Sequence, residues 1–560
     1  MDNLIGIDLG TTHSLISVWS DHKVELIPNG LGDFLTPSAV SIDSDDVILV
    51  GAPALERLVT HPHLSASEFK RFMGSPKRYQ LGNKSFTPED LSALVLTQLK
   101  QDAENHLGGP VTEAVISVPA YFNNRQRRAT QRAAELAGLK VERLINEPSA
   151  AALAYGLEKN TSASQDEPLS YLVLDLGGGT FDVSLLEIFD GVFEIRASSG
   201  DNYLGGNDFT RIIVDDFCQQ NSISYDYLEA NVKGALFSTA DAAKRDLSKK
   251  NTVYFSVNID EKKVDYKLSE SHFLELSEDL LQRIRNPITR TLNDASLRAS
   301  ELAGVILVGG ASRMPIFRST VAKIVGRIPS SHYEPDSAIA AGASIQAGLK
   351  ARDETLQDII MVDVCPYTLG VEVINNHNQS EFKPIIERNQ AIPVSETRSV
   401  YTRHPNQHEI AINVFQGESF KPADNVALGE IVMHITPAPE PQEVLLTYTY
   451  DINGVLEVEV TIVASNEKQF AYITDDETEL SDAQLRERFA ELQALKLLPR
   501  DQIENTALLA KLERLFSQHL GEQRNYYAEL IGNFQAVIDS HDKDKVEKMR
   551  IEIQRLLDQQ

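Results

Sequence analysis

Residues 4–19, LIGIDLGTTHSLISVW, and residues 171–187, YLVLDLGGGTFDVSLLE, decide how the rest of the chain is read. Each is an apolar β-type run that ends in aspartate, breaks at a glycine turn and resumes as a second β-type run. Glycine and threonine leave backbone N–H groups uncrowded, and such a nest binds phosphate oxygens. Two copies of one pattern predict a duplicated domain whose lobes face each other across a cleft. Gly10, Thr11 and Thr12 would then grip a phosphate chain from one side, and Gly177, Gly178, Gly179 and Thr180 from the other. Asp8 and Asp175 sit just before the turns, where paired carboxylates hold a hydrated Mg²⁺ or orient and deprotonate a water.

Outward from these turns, β-type and helical segments alternate through about the first 350 residues, which argues for α/β layers. AVISV at 114–118 reads as a buried strand ending at Pro119, followed by a basic, alanine-rich helix over 123–137. VILVGG at 305–310 runs from strand into a third glycine turn. Near 355–365 the composition changes, and from there to about 475 the text is all-β, with Asn453-Gly454 as a hairpin signal. From about 480 it turns helical, beginning at Ser481 with Leu485, Phe489 and Leu492 on one face. Further helices are predicted near 505–519, 523–539 and 543–557.

A length of 560 residues implies several domains, and 42% hydrophobic with 24% charged residues is ordinary globular composition. The net charge of −28 argues against general binding to nucleic acid or anionic membrane. No apolar run approaches a bilayer span. MDNLIGIDLGTTHS lacks the basic n-region and apolar core of a signal peptide. Two distant cysteines, Cys218 and Cys365, exclude a disulfide framework, and the expectation is a cytoplasmic protein. The 13 histidines show no zinc-ligand spacing, and Walker A, dinucleotide and nucleophile-elbow motifs are absent.

Other residues stay open on pattern alone. Lys70 is either a phosphate-facing cation or a surface lysine. Lys244 and Arg245 either flank an adenine ring or lie on a solvated helix face. His13 either touches a nucleotide or is a strand histidine.

IGIDLGTTHS (5–14), AVISVPAYF (114–122), LINEPSAAALAYG (144–156), DLGGGTFDVS (175–184), GDNYLGGNDF (200–209), VGGASRMP (308–315) and DIIMVDVCPYTLGVEV (358–373) are in order along the chain. Together they resemble the 70-kilodalton heat-shock (DnaK-type) chaperone family, most like its short bacterial HscC-like branch. The resemblance implies a duplicated actin-like (ribonuclease H-like) ATPase over 1–355 and a linker over 356–364. A β-sandwich peptide-binding domain over 365–475 and a helical lid over 476–560 would follow. It implies ATP or ADP with Mg²⁺, and K⁺, in the cleft. Asp8, Lys70, Glu147, Asp175 and Thr180 would be catalytic, and Asp8 and Asp175 would hold the metal through water. The nucleotide would further meet His13, Gly200, Asp241, Lys244, Arg245, Ser248, Gly309, Gly310, Ala311, Ser312, Arg313 and Asp336.

By the same resemblance Val371, Ile374, Val400, Arg403, Ile410 and Ile412 would line the peptide cleft. Pro119, Arg127, Arg143 and Asn146 would relay nucleotide state to the linker residues Ile360, Met361, Val362 and Asp363. Arg143 and Asn146 would also meet a J-domain co-chaperone. Ile359 to Val362 are expected to be buried when the domains dock. Clients would be extended apolar segments of unfolded proteins, and the protein a monomer. The chain departs from the family pattern at Asp241, at Ala311 and at Arg403. It is also about two dozen residues shorter after Lys70, which leaves the exchange factor open. A small-molecule kinase of the same fold, an actin-like filament protein and a specialised regulatory family member are the competing readings.

Overall fold

A computed structural model of the protein describes residues 4–43, 45–160, 168–259, 262–329, 334–357, 359–375, 377–472, 496–497, 500–539 and 543–558. Two sheets share one plan. In the first, Leu4–Asp8 pairs antiparallel with His13–Ser20, which pairs with Lys23–Ile27. The parallel strands Glu113–Val118 and Lys140–Asn146 extend the other side. In the second, Leu169–Leu176 pairs antiparallel with Phe181–Phe189, which pairs with Val192–Asp201. The parallel strand Gly304–Val308 flanks it. The central strands are buried along nearly their whole length, as sheets covered on both faces must be.

Helix Ala338–Lys350 (AIAAGASIQAGLK) is small-residue rich because it packs closely between the first sheet and helix Glu147–Asn160. A Cβ on Gly342 would lie 2.6 Å from Ala150 Cα of helix Glu147–Asn160, and one on Gly6 would lie 2.7 Å from Ser344 Cα. Only glycine permits so close an approach. The chain's single tryptophan, Trp19, lies against Gly348 of this helix, beside Leu356.

The all-β region forms two four-stranded antiparallel sheets. One has the order Ser380–Ile386, Leu369–Ile374, Glu409–Gln416, Val426–His434. The other has Val394–Tyr401, Glu443–Tyr450, Leu456–Ile462, Lys468–Tyr472. Strict alternation along EVLLTYTY turns Val444, Leu446, Tyr448 and Tyr450 inward to the shared core. Asn453-Gly454 turns the expected hairpin, with Gly454 at φ 79°. Helices Arg500–Gln518, Gly521–Asp539 and Lys543–Asp558 close on a small core of Leu508, Leu512, Tyr527, Phe534 and Ile553. Ser481, Leu485, Phe489 and Leu492 lie outside the described residues.

The segment between the α/β and β regions differs from expectation. Ile359 to Val362 are not all buried between the domains. Ile360–Val364 is a strand added in parallel to Val192–Asp201, with Ile360 opposite Val192 and Val362 opposite Glu194. Its alternation leaves Ile360 56% exposed and Met361 and Val362 half-buried. Backbone pairing on both edges, to Val192–Asp201 and to Ala391–Ile392, seats this segment together with Ile359, Met361 and Val364 on the core, rather than burial of all four aliphatic side chains.

Candidate functional site

Between the two lobes lies a cleft of about 470 Å³. Each glycine turn presents itself to it for a local reason. In the first, Gly10 N–H donates to Ser14 Oγ at 3.2 Å and Ser38 Oγ donates to Gly10 O at 2.7 Å, which fixes the turn from inside. In the second, Gly177 N–H donates to Thr180 O, and Gly206 and Asn207 at the start of helix Gly206–Gln220 donate to Gly177 O and Gly178 O. Gly178 abuts Thr12, so the two turns touch across the cleft. Asp8, Gly10, Thr11, Thr12, His13, Asp175, Gly177, Gly178 and Thr180 all line it.

Lys70 and Glu147 are buried together, with Nζ donating to Oε1 at 2.6 Å. Glu147 starts the helix that follows strand Lys140–Asn146, and Lys70 is carried by the short 3₁₀ turn Phe69–Phe72. Their pairing settles the open reading of Lys70: it is a cleft cation, not a surface lysine. Lys244 is likewise buried, donating to Gly206 O, to Thr210 Oγ1 and to Asp241, each at 2.7 Å. Burial lowers its pKa, against the pull of Asp241. Burial would raise Asp241, but Lys244 and Arg245 hold its carboxyl below the ordinary value. Burial, followed by the Arg245 charge, lowers the pKa of His13.

Arg245, Ser248, Gly309, Gly310, Ala311, Arg313 and Asp336 complete the lining of the cleft. Arg313 binds Asp336 at 2.7 Å and Glu334 at 2.8 Å. Gly309 has φ 78°, and a Cβ there would stand 2.6 Å from Asp175 Oδ1, so no other residue fits. Three expected contacts do not line the cleft. Gly179 packs on Thr11 and Arg71, Gly200 packs beneath Tyr121, and Ser312 is buried with its hydroxyl on Gly309 O. Gly179 and Ser312 shape the turns, and Gly200 sits in strand Val192–Asp201 opposite Asp182.

Sequence reasoning missed Ser117, whose Oγ donates to Asp8 Oδ1 at 2.9 Å, and the Arg71–Asp208 pair at 2.9 Å joining the lobes. It also missed Asp182, fully buried, with Oδ1 accepting from Tyr121 N–H at 3.1 Å. A charged residue at a buried position within FDVSLLE was the available signal.

Carboxylates outnumber cations at the turn end of the cleft. Burial, then Glu147, pushes Asp8 from 3.8 up to about 7, and Asp182 likewise to about 7. Asp175 is raised well above 3.8 by burial and by Glu147, and its Oδ2 has no hydrogen-bond partner among the described residues. An orphaned buried carboxylate oxygen beside a second carboxylate suits a divalent cation. Among the described residues no three metal-type side chains close into a cage, so such an ion would be held through water and ligand oxygens.

A raised carboxyl keeps a proton in the folded state that the unfolded chain has released. The stability Asp8 contributes is therefore complete below about pH 4 and is lost as pH climbs through about 7. The unfolding midpoint of the ligand-free protein should fall between pH 5 and 8, and Asp8→Asn should flatten that fall. Thermal melts across this range check it; an unchanged slope in the variant would remove Asp8 as the cause.

The relay residues converge at a second junction. Arg127 donates to Asn146 Oδ1 at 2.7 Å, and Asn146 Nδ2 donates to Asp363 Oδ2 at 2.7 Å. Ser149 Oγ adds a bond to the same oxygen at 2.8 Å. Arg143 is beside them, lowered by burial and held up by Asp363. Pro119 O accepts from Phe122 N–H in the turn leading to Arg127. The hairpin tip of the β region reaches here too: Leu144 N–H donates to Asn453 Oδ1, and Gly454 sits against Arg127. Tyr367 lies tilted against Tyr121 with centroids 4.1 Å apart, and its hydroxyl donates to Tyr121 O.

The six expected peptide contacts do not share one surface. Val371, Ile410 and Ile412 are buried in the sandwich core, and Val400 packs at its edge. Ile374 and Arg403 are exposed, with Arg403 donating to Asn378 Oδ1.

A family model described as Hsp70 protein matches residues 4–559. The chain belongs to the Hsp70 family. Hsp70 proteins are ATP-dependent chaperones and ATPases that bind ATP or ADP with Mg²⁺, client peptides and co-chaperones, and the cleft above is where the glycine turns of this chain meet. No helix among the described residues is long and apolar enough to cross a membrane.

Proposed function

We propose that this Hsp70 chain hydrolyses ATP in the cleft of residues 1–355 and uses it to control an extended apolar peptide on residues 365–475. Residues 356–364 act as the link and 476–560 as the cover. One observation carries the reading: Asn146 and Glu147 are adjacent, yet Asn146 holds Asp363 of the linking strand while Glu147 holds Lys70 in the cleft. A change at the cleft cannot move one without the other.

In this reading Lys70 and Thr180 meet the terminal phosphate, and Glu147 keeps Lys70 oriented. Asp175 would accept a proton from the attacking water. Asp8 and Asp175 would hold Mg²⁺, which supplies neutralising charge to the phosphates. Arg245 and Arg313 lie at the nucleoside end. Loss of the terminal phosphate releases the turns, shifts Glu147 and frees Asp363, so the linking strand leaves its sheet. Arg143 and Asn146 offer a surface where a J-domain co-chaperone would act. Ile374 and Arg403 would border the peptide, with Val371, Val400, Ile410 and Ile412 reached only when the sheets part. A kinase of the same duplicated fold would leave residues 365–560 without a task.

Limited trypsin digestion with ATP or ADP tests this, since Arg352 is exposed just before the linking strand. ATP should protect that site in the wild type, and Asp175→Asn should stay protected long after wild type has reverted. Identical ATP and ADP patterns in the wild type would exclude the coupling.

A further inference from the structure

The helix Arg500–Gln518 packs along Ala52–Thr60, the outer helix of the first lobe. Arg514 pairs with Glu56 there, and Lys496 and Leu497 extend the sheet edge at Val47 and Ile48. The far end of the same helix reaches the second lobe. Asn258 Nδ2, on the hairpin Thr252–Ile259 and Lys262–Ser269, donates to Gln518 O at 2.7 Å. A cavity of about 440 Å³ lies among the three parts, bordered by Val59 of the first lobe, Val232 and Ala235 of the second, and His519 and Leu520 of the C-terminal segment. The lobes themselves meet at this point, because a Cβ on Gly234 would stand 2.9 Å from Leu58 O.

One rigid element connects this junction to the cleft. Helix Ala230–Asp246 has Val232 and Ala235 at the junction and Lys244 and Arg245 on the cleft wall. The two ends are roughly 18 Å apart at the helical rise. A ligand gripped by both lobes leaves only when they part, and parting swings this helix away from Ala52–Thr60. The C-terminal helix is fastened on both sides of that opening.

The geometry points to a second task for the C-terminal helices: they are a strap across the tips of the two lobes that sets how fast nucleotide leaves. This rests on the cleft being a nucleotide site, as argued above. The chain thereby carries its own brake on exchange, separate from any covering of a peptide.

The test is release of a fluorescent (methylanthraniloyl) ADP from the full chain, chased with unlabelled ADP in a stopped-flow instrument. Asn258 is half-buried on a surface hairpin. Asn258→Leu should speed release roughly 2- to 12-fold, the effect of losing one ordinary hydrogen bond. Arg514→Glu should speed it as well, and adding Glu56→Arg should restore the slow rate. Gly234→Ala keeps the helix but wedges Leu58 away, and should also speed release. Wild-type release rates in both Asn258→Leu and Arg514→Glu, with full binding of the analogue, would overturn the strap while leaving the nucleotide site standing. Failure of the wild type to bind the analogue at all would overturn both.

Discussion

Lys70→Met is expected to lower single-turnover ATP hydrolysis by about 10²- to 10³-fold, the usual effect of deleting one preorganised donor aimed at developing charge. It should also destabilise the N-terminal lobes. Lys70 and Glu147 are both buried, and removing one member of such a pair leaves an uncompensated charge, at a cost of about 3–5 kcal/mol. Asp8, Asp175 and Asp182 crowd the same region and sharpen that cost. The two effects separate in the double variant Lys70→Met/Glu147→Gln. Without the buried charge, the urea midpoint should recover, yet hydrolysis should stay low. Hydrolysis within tenfold of wild type in Lys70→Met would show that the lysine is structural only.

Asp363→Ala is expected to unseat the linking strand in every nucleotide state. Its carboxylate accepts from Asn146 and Ser149, and hydrogen bonds to a charged group are worth about 1.5–3 kcal/mol each. Losing both shifts the seated-to-free balance by about 3 kcal/mol or more, roughly a hundredfold at 1.4 kcal/mol per decade. The strand's other holds are three register pairs to Val192–Asp201, two to Ala391–Ile392 and the buried Val364, while Ile360 is mostly exposed. The variant should be cut at Arg352 equally with ATP and ADP, and peptide should no longer alter its ATPase rate. Basal hydrolysis should persist, because Glu147 and Lys70 are untouched. ATP-specific protection surviving in Asp363→Ala would sink the account of the relay.

How far the sequence carried the reading depended on the range of the interaction. The glycine turns were legible because the residues that make them are adjacent: Asp8 to Thr12, and Asp175 to Thr180. The β-sandwich alternation and the Asn453-Gly454 hairpin were legible for the same reason. What no pattern within a window reveals is which distant residues meet. The Lys70–Glu147 pair, the Arg71–Asp208 pair and the Ser117–Asp8 bond arise only when the sheets close. The linking strand was misjudged on burial because its partner, Val192–Asp201, lies far upstream, and edge pairing needs no apolar signature. The peptide residues were chosen as one set, but period-2 alternation sends Val371, Ile410 and Ile412 inward while Ile374 at the strand end stays exposed. The hairpin of Tyr79–Leu81 and Lys84–Phe86 after Lys70 was not legible either.

Trp19 rests on the central helix beside Leu356, a few residues upstream of Ile360. With no second indole in the chain, ultraviolet emission comes from one address. Should the linking strand's departure pull Leu356 off that ring, one side of it would be wetted and its light would redden, which a fluorimeter reads without any dye attached.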